Sequence, residues 1–522
     1  MREKVLKVLL DHGTLIEPDA ADFILAQKDP IAFVKNFLEG RESLPLILTL
    51  TDVRPTSVMS FDEAPAPEPV TPAKATSQRS LEPPPARALP TPAPIPKPTA
   101  PGQAPTGDSD FHIISDVTGA STCDGKIENF TQYFRDRFRI LRRIIRTNPE
   151  MGVAVKIANI EPQETESKVI GMIMDVNKTK NGHIGLTIED DTGELFVLVH
   201  KDSDLIRETF LKDEVIGFVG KLSSGPRSRG PSDRKSAMFI ASSIYRPRVP
   251  AVRDQRRSAA DIDVVFMSDI HVGSSHFLAD AWSGFMDWIN SPQASNVRYI
   301  VVAGDLVDGI GVYPNQEDEL VILDIYKQYE ELAKITERIP KHIKVLMQPG
   351  NHDAVRPAEP QPAVHEKYLK SFGPNFTFIG NPCYFSISGV EILSYHGKSI
   401  DDLVGQIPGV KYSDPIPPMM EMLKRRLLAI SYGGKTPLAP ESRDYMAINP
   451  LPDILVTGHV HRTAVHRGNG MTLINASAWQ SQTPFQKIHN FHPDPAKIVV
   501  VNLRTGRTRI FDFLQKQDPA SS

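Results

Sequence analysis

Five short polar motifs, each placed directly after an apolar run, do most to limit what this chain can fold into. The apolar runs are strand-like, as in DVVFM, RYIVV and IKVLM, and each motif brings Asp, Asn or His to the point where its run ends. Residues gathered from several strand ends can surround a pair of metal ions. The pattern therefore predicts a two-metal phosphoesterase site. The motifs are SDIHVGS at 268–274, AGDLVDG at 303–309, PGNHDA at 349–354, SYHGK at 394–398 and TGHVHR at 457–462.

The donor types in the motifs narrow the choice of ion and the course of the backbone. Carboxylates, imidazoles and one amide oxygen suit manganese, iron or zinc better than calcium. Because alternate residues of an extended segment point to opposite sides, Asp269 and His271 need a bend after their strand before they can meet at one ion. By the same rule, His459 and His461 could each face a different ion. The motifs also contain glycines that allow tight turns and close backbone approach, at positions 304, 350, 397 and 458.

The length of 522 residues favours about three domains. Residues 1–50 carry apolar residues at helical spacing, with Pro30 at a helix start, and predict a small helical domain. This domain either docks a partner or is a minor appendage. Residues 51–110 are predicted to be a disordered linker, because the fourteen prolines between Pro65 and Pro105 cannot be built into a packed core.

Residues 111–150 are predicted to be a basic amphipathic helical segment. Its apolar stripe consists of Phe134, Phe138, Leu141 and Ile145, and several arginines lie beside the stripe. The helix either packs on the next domain with a solvated arginine face, or contacts nucleic acid or a partner.

Residues 151–250 contain five short strand-like runs separated by turn signals such as NKTKNG and DDTG, which predicts an OB-type β-barrel. Such barrels often bind single strands, but aromatic residues for stacking are sparse in this one. Residues 261–515 alternate apolar runs with helical segments, as an α/β domain does. Within it, residues 398–447 predict an insertion of helices and loops that contacts DNA or only packs.

The charge and the cysteine content of the chain limit its binding partners and its cellular compartment. A formal net charge of -4 gives no overall signal for binding polyanions, so any nucleic-acid surface must be local. Basic stretches at 135–146, 226–235 and 246–257 could supply phosphate contacts. The two cysteines lie far apart in sequence and fit a reducing compartment, and no segment approaches the ~18 apolar residues of a membrane span. We expect a soluble cytoplasmic chain, associated with the nucleoid and without a membrane partner.

The motif order D-x-H, G-D-x-x-D-G, G-N-H-D, H-G and G-H-x-H resembles that of the calcineurin-like metallophosphoesterase superfamily over about 261–475. The resemblance implies an α/β phosphoesterase domain built as a layered αββα sandwich. It also implies two sets of metal ligands that share one bridging carboxylate. The ligands implied for one ion are Asp269, His271, Asp305 and His461. Those implied for the other are Asp305, Asn351, His396 and His459, with Asp305 as the bridge.

The same resemblance implies roles for three residues beside the ligands. His352 faces the scissile phosphate and protonates the leaving oxygen or stabilises its charge. Asp353 orients His352, and Asp308 supports the ligands from behind or is structural. Two ions about 3.5–4 Å apart lower the pKa of a bridging water and hold the phosphate oxygens for in-line attack.

The order of the domains makes the resemblance narrower. An OB-type barrel directly before a phosphoesterase domain is similar to the B-subunit family of replicative DNA polymerases. With its ligands intact, its linker and its helical start, the chain resembles the small-subunit family of archaeal family D DNA polymerases. The runs SDIHVGSSHF at 268–277 and GNHDAVRPAEPQP at 350–362 carry this likeness.

That likeness implies a 3′–5′ exonuclease that proofreads single-stranded or mismatched DNA 3′ ends. It also implies that the chain forms a heterodimer with a large catalytic subunit. Manganese is the expected ion, with iron, zinc or magnesium as alternatives. A sliding clamp or a primase would be reached through the complex. Two other functions stay open: a scaffold that joins the large subunit to replication partners, and a phosphatase or cyclic phosphodiesterase unrelated to replication.

Overall fold

The computed structural model describes residues 15–16, 24–25, 29–39, 47–48, 110–161, 165–223, 238–250, 253–488 and 490–514. The chain divides into two compact units, Met1–Pro98 and Thr99–Ser522. The linker predicted for 51–110 lies outside the described residues, apart from Asp110.

The described part of the first unit contains two short paired strands, one helix and two further helical residues at 24–25. Strands β1 (Leu15–Ile16) and β2 (Ile47–Leu48) pair in parallel. Helix α1 (Pro30–Glu39) begins at the predicted proline. Asp29 Oδ1 accepts hydrogen bonds from the backbone N–H groups of Ile31 and Ala32, which caps the start of the helix. The rest of the predicted 1–50 domain lies outside the described residues.

The second unit begins with a strand where the sequence predicts only a helical segment. Strand β3 (Phe111–Ser115) pairs antiparallel with residues 384–387, and the ring centroids of Phe111 and Phe385 are 5.7 Å apart. The prediction for 111–150 is therefore wrong at its start. FHIIS is too short to identify itself as a strand, and it takes that conformation because it extends the edge of a sheet built by much later residues.

Helix α2 (Ile127–Ile145) is the predicted amphipathic helix. Leu141 and Ile145 are buried in a core that includes residues of the barrel and of the α/β layers, and Phe134 and Phe138 pack against the same core. The apolar stripe therefore serves to pack the helix on its neighbours, as one of the two interpretations requires.

A closed barrel follows, and its five strands coincide with the five predicted runs. They are β4 (Ser167–Lys178), β5 (Ile184–Asp190), β6 (Gly193–Val199), β7 (Val215–Ser223) and β8 (Met238–Tyr245). Their order is β4-β5-β6-β8-β7, with β6 and β8 parallel and the other pairs antiparallel. The DDTG sequence makes the tight turn between β5 and β6, where Asp190 pairs with Gly193. Ile188, Val197 and Phe218 are among the buried side chains that fill the interior.

The second unit also contains two six-stranded sheets, and β3 is an edge strand of one of them. Their other strands are β9 (Asp263–Met267), β10 (Val297–Ala303), β11 (Lys344–Gln348), β12 (Phe376–Phe378), β13 (Cys383–Ile387), β14 (Val390–Ser394), β15 (Ile454–Thr457), β16 (Ala464–Gly468), β17 (Met471–Asn475), β18 (Lys497–Asn502) and β19 (Thr508–Asp512). The first sheet has the order β12-β11-β10-β9-β18-β19, and the second β16-β17-β15-β14-β13-β3. Strands β9 to β12 are parallel, as are β14, β15 and β17.

Helices lie outside the two sheets, so the body is a layered, mixed α/β structure. The helices are α3 (Ala279–Ile289), α4 (Ile325–Thr336), α5 (Ile400–Gln406), α6 (Ile416–Arg425) and the short α7 (Pro484–Ile488). Along β9, Val264 and Phe266 face the second sheet while Val265 and Met267 face α3 and α4, as the two-residue period of a strand requires. Since both faces are covered, β9 is apolar after its first residue. Within the described part of the chain, no helix has the length and apolarity needed to cross a bilayer.

Candidate metal centre

All seven predicted ligands meet at one edge of the sheets, in loops that follow parallel strands. Ligands collect at such edges because the carboxyl ends of neighbouring parallel strands open into a shared crevice. The loops after β9, β10, β11, β14 and β15 carry, in turn, Asp269 and His271, Asp305, Asn351, His396, and the pair His459 and His461.

The first cluster consists of Asp269, His271 and His461. Asp269 Oδ1 is 3.7 Å from His271 Nε2 and 3.3 Å from His461 Nε2, and the two imidazole nitrogens are 3.1 Å apart. Asp269 Oδ1 is buried without a hydrogen-bond partner among the described residues. A buried carboxylate oxygen is costly to leave unsatisfied. The three converging atoms therefore fit a cation.

The second cluster consists of Asp305, Asn351, His396 and His459. His396 Nε2 is 3.3 Å from Asp305 Oδ2 and 3.1 Å from Asn351 Oδ1, and His459 offers a ring nitrogen to the same group. Burial opposes ionisation of Asp305, but His396 and His352 hold the pKa of its carboxyl well below the usual value. The cluster thus presents an anionic oxygen, an amide oxygen and imidazole nitrogens to one point.

The backbone of five ligands adopts a conformation that residues other than glycine rarely take. Asp269, His271, Asp305, His459 and His461 have φ between 49° and 70°. Each such residue costs about 1–3 kcal/mol and persists only where the surroundings enforce it. This left-handed turn is the predicted bend: it allows Asp269 and His271, which would diverge on a strand, to face the same point.

Two glycines in the motifs are needed because other parts of the site lie against them. Gly304 has a φ of 103°, and a Cβ there would overlap the ring of His396. A Cβ on Gly458 would overlap the side chains of Ser268 and Asp269. A side chain at either position would displace a predicted ligand, which agrees with the close approach expected from the sequence.

Groups behind the imidazoles fix which ring nitrogen faces the centre. His271 Nδ1 is 2.8 Å from Asp308 Oδ1, and His396 Nδ1 is 2.9 Å from the carbonyl oxygen of Ala303. Both acceptors require the proton on Nδ1, which leaves Nε2 free as a donor atom for a metal. Gln486, on α7, contacts the third ring from the opposite role: its amide Nε2, 2.9 Å from His461 Nδ1, is a donor, so it fixes the position of the ring without requiring a proton on Nδ1. Asp308 thus lies behind a ligand, as its predicted role requires.

Asp401 is a residue of the site that the sequence prediction missed. It lies in the first turn of α5, and its Oδ2 is 3.2 Å from His459 Nε2 and 2.8 Å from Lys398 Nζ. Burial opposes its ionisation, yet His459 and Lys398 keep the pKa of the carboxyl below its usual value. The sequence could have indicated this residue only as an acidic side chain five positions after His396. It did not stand out, because the segment was assigned to an insertion.

Replacing Asp401 is expected to weaken metal binding at the second cluster. Asp401→Asn removes the charge that orients His459, and losing such a partner costs about 10–100-fold in metal affinity. Calorimetric titration of the full chain with manganese measures this change. Asp414→Asn, an exposed carboxylate of the same insertion, is the matched control and should titrate like the wild type. Equal affinity of Asp401→Asn and wild type would exclude the orienting role.

Asp353 does not contact His352, so the predicted orienting contact is wrong. Its Oδ2 accepts hydrogen bonds from the N–H groups of Leu306 and Gly350, and its Oδ1 accepts one from the hydroxyl of Tyr329. Burial and the neighbouring Asp305 raise the pKa of Asp353 to about 7. Asp353 instead joins the loops after β10 and β11, which carry two of the ligands.

The carbonyl oxygen of Asp308 takes the place predicted for Asp353. It lies 2.7 Å from His352 Nδ1 and, as an acceptor, requires the proton on that nitrogen. His352 Nε2 then faces the cavity, 4.0 Å from Asp305 Oδ2.

A cavity of about 670 Å³ lies over both clusters, and the insertion 398–447 forms part of its wall. Lys398, Lys411 and Tyr412 line it from this segment. The insertion also packs against the barrel, because Arg425 of α6 donates to the carbonyl oxygen of Thr209 and pairs with Glu214. Of the two expectations for 398–447, packing is therefore observed.

Comparison with known proteins gives the class first. Residues 264–466 match the model of the DNA polymerase alpha/epsilon B-subunit family. The matched range includes every predicted ligand, and this part of the chain is similar to the B-type subunits of DNA polymerases.

Individual relatives give the family. The chain is 40% identical over 419 residues to the DNA polymerase II small subunit of Methanothermobacter thermautotrophicus, which covers 78% of this chain and 83% of that protein. It is 35% identical over 513 residues to the DNA polymerase II small subunit of Halobacterium salinarum, covering 96% and 97%. The chain belongs to this archaeal DNA polymerase II (family D) small-subunit family, and the predicted resemblance is confirmed.

Among solved structures, one described as a novel archaeal phosphodiesterase covers 48% of this chain and 99% of its own, with 13% identity and a TM-score of 0.25. A likeness this weak says nothing about the chemistry of the site.

Proposed function

We propose that this chain is a two-metal phosphodiesterase that removes nucleotides from the 3′ ends of single-stranded or mismatched DNA. The observation that carries the proposal is the position of Asp305 Oδ2, 3.7 Å from His271 Nε2 and 3.3 Å from His396 Nε2. One carboxylate oxygen faces both clusters, as a ligand that bridges two ions must.

The donor atoms support two ions of the manganese type. The first cluster offers one carboxylate and two imidazoles, and the second adds an amide oxygen and two further imidazoles around Asp305. Mixed nitrogen and oxygen donors suit manganese, with iron, zinc or magnesium as alternatives. The unsatisfied Asp269 Oδ1 supports an ion at the first cluster. Two ions held by these residues would supply charge neutralisation at a phosphate and a water nucleophile at neutral pH.

His352 is the group proposed to act on the leaving oxygen. Its Nδ1 is held by the Asp308 carbonyl oxygen and its Nε2 faces the cavity. Burial lowers the pKa of this imidazole, which favours its neutral form in the absence of substrate. The phosphate charge favours the imidazolium form, which can then donate its Nε2 proton to the oxygen of the departing strand.

The architecture supports the finer fold assignments as well. The barrel order β4-β5-β6-β8-β7 with one parallel pair is the arrangement expected of an OB fold. Two sheets with helices outside them and ligands at the strand ends are what the calcineurin-like sandwich implies. We infer that these are the OB-type barrel of 151–250 and the phosphoesterase domain of 261–515.

Family membership supports a role inside a polymerase. We infer that the partner is the large catalytic subunit of a family D polymerase, in a heterodimer that presents a DNA 3′ end to this site. Contacts with a sliding clamp or a primase would then run through the complex.

The test is degradation of single-stranded DNA by the full chain with manganese. A 5′-labelled strand should shorten in single-nucleotide steps, while a 3′-labelled strand should release its labelled nucleotide first, and chelation should stop both reactions. His352→Ala should lower kcat by about 10²–10⁴-fold with manganese affinity unchanged, because only proton transfer is lost. His342→Ala, an exposed histidine outside the cavity, is the control. Intact DNA, or equal rates for wild type and His352→Ala, would refute the nuclease; release from the 5′ end would refute the polarity.

A further inference from the structure

The cavity over the two clusters is lined by aromatic rings as well as by five of the predicted ligands. Four of the rings form two pairs, Tyr313 with Phe485 and Tyr412 with Phe491. We propose that these pairs stack the two nucleobases that flank the scissile phosphate, so that the site accepts only a strand that is unpaired over those two nucleotides. This inference rests on the proposed function, since it takes the substrate to be DNA.

The first pair lies at the His352 end of the cavity. The ring centroids of Tyr313 and Phe485 are 5.7 Å apart, and the Tyr313 centroid is 6.3 Å from that of His352. The Tyr313 hydroxyl donates to Glu319 at 3.3 Å, which holds the ring in place from outside the cavity. Phe485 is 43% exposed, so its ring remains accessible to a ligand.

The second pair lies at the Asp401 end. The centroids of Tyr412 and Phe491 are 4.6 Å apart. Tyr412 and Asp401 line the same cavity, and Asp401 is the group that orients His459. A base on the second pair would therefore sit beside the second cluster, and a base on the first pair beside His352.

One stretch of the chain, described at residues 481–488 and 490–493, carries a ring of each pair. Its backbone is fixed by hydrogen bonds from Phe491 N to the Gln486 carbonyl oxygen at 2.8 Å and from Gln482 Nε2 to the Phe491 carbonyl oxygen at 2.6 Å. Gln486 in turn contacts His461. The positions of the two rings are thus fixed relative to the metal ligands. Such a fixed spacing is needed if two stacked bases are to place the phosphate between them at the metal centre.

Cationic side chains accompany the rings. Lys398, Lys411, Lys435 and Arg462 line the same cavity. Aromatic faces for bases together with cations for backbone phosphates are the combination by which proteins hold single strands without reading sequence.

Stacking on protein rings explains how a paired end can be refused. In a duplex, the penultimate base is covered on both faces and the terminal base on one, and turning either base onto a protein ring requires unpairing and unstacking, which is least costly at a mismatch. Selection of mismatched ends would follow without any contact that recognises a particular base. If His352 protonates the leaving 3′ oxygen, the first pair holds the penultimate base and the second pair the terminal base.

The test measures binding, so that it does not depend on hydrolysis. The full chain in EDTA is titrated against 5′-labelled hexanucleotides that are complete, abasic at the terminal nucleotide or abasic at the penultimate one, and fluorescence anisotropy is recorded. Phe485→Ala and Phe491→Ala each remove a ring but no hydroxyl group. Tyr326→Ala is the control, because Tyr326 and Tyr368 form a comparable pair, 4.7 Å between centroids, outside the cavity.

Removing either base should weaken binding to the wild type by roughly 5–100-fold. Phe491→Ala should be insensitive to loss of the terminal base but still sensitive to loss of the penultimate base, and Phe485→Ala should show the reverse. Equal losses for complete and abasic strands in both variants would mean that the rings act only on folding, and would overturn the proposal. A wild type that senses both bases yet leaves DNA intact in manganese would refute the proposed nuclease while this inference stands.

Discussion

A chain carrying Asp305→Asn is expected to lose manganese-dependent hydrolysis of single-stranded DNA by on the order of 10³-fold or more. Asparagine preserves the size and shape of the side chain but removes the negative charge that faces both clusters. Oδ2 of Asp305 is 3.3 Å from His396 Nε2 and 3.7 Å from His271 Nε2. Without the Asp305 charge, both clusters should therefore bind a divalent ion more weakly. No other predicted ligand belongs to both clusters, so no other single ligand substitution should weaken both ion sites at once.

Three measurements separate loss of chemistry from loss of fold. The rate of nucleotide release is compared at saturating manganese, the number of bound ions is measured by calorimetry, and far-ultraviolet circular dichroism is recorded in EDTA. The fold should persist, since an amide oxygen can still accept the hydrogen bond that His352 N donates to Asp305 Oδ1 at 2.9 Å. Asp287→Asn, a carboxylate 70% exposed on α3, should behave as wild type. A folded Asp305→Asn chain that binds two ions and hydrolyses DNA at more than a tenth of the normal rate would refute the bridging role.

The ligand positions could be predicted because the information that specifies them is local. Each ligand lies within a few residues of the end of an apolar strand, and the type of side chain indicates its chemistry. The bend between Asp269 and His271 also followed from strand geometry alone, and it appears as positive φ values at both residues. Stacking two sheets with their strand ends together then brings these local features to one place.

Residues that act on the ligands from elsewhere in the chain could not be found in this way. Asp401 and Gln486 reach His459 and His461 only because α5 and α7 pack beside the loop after β15. Asp353 shows the opposite error. Its position next to His352 suggested a contact, but its carboxylate is turned towards backbone N–H groups and Tyr329. Sequence adjacency therefore predicts which loop a residue occupies better than which way its side chain points.

The same limit applies to the fold. The five barrel strands were predictable because each alternates or is apolar over its own length, and DDTG marks a turn by itself. Strand β3 was not, because its pairing with residues 384–387 depends on a sheet edge formed far along the chain. As a consequence, the barrel lies in sequence between two strands of the same α/β body, which the linear domain order did not indicate.

Removing the Asp444 carboxylate is expected to destabilise the second unit by about 3–5 kcal/mol, the usual loss when one partner of a buried ion pair is deleted. Arg137 on α2 and Asp444 in the insertion are both 0% exposed, with Arg137 Nε 2.8 Å from Asp444 Oδ2. The same guanidinium donates to the carbonyl oxygens of Ala429 and Ile430. In Asp444→Ala these bonds remain, but the positive charge is left buried without its counter-charge.

The expected loss of stability comes from the buried Arg137 charge that no longer has a partner, so a second substitution that removes this charge should restore much of the stability. Arg137→Met added to Asp444→Ala removes the uncompensated guanidinium and fills its space with an apolar chain, and the double variant should be clearly more stable than Asp444→Ala alone. The midpoint of urea unfolding, at unchanged slope, measures the difference. Asp287→Ala breaks an exposed pair with Arg338 and should shift stability by no more than about 1 kcal/mol. Since α2 and the insertion join the barrel to the α/β layers at this pair, Asp444→Ala should also speed proteolysis between the barrel and the α/β layers. A double variant as unstable as the single variant would show that Asp444 contributes packing and not charge.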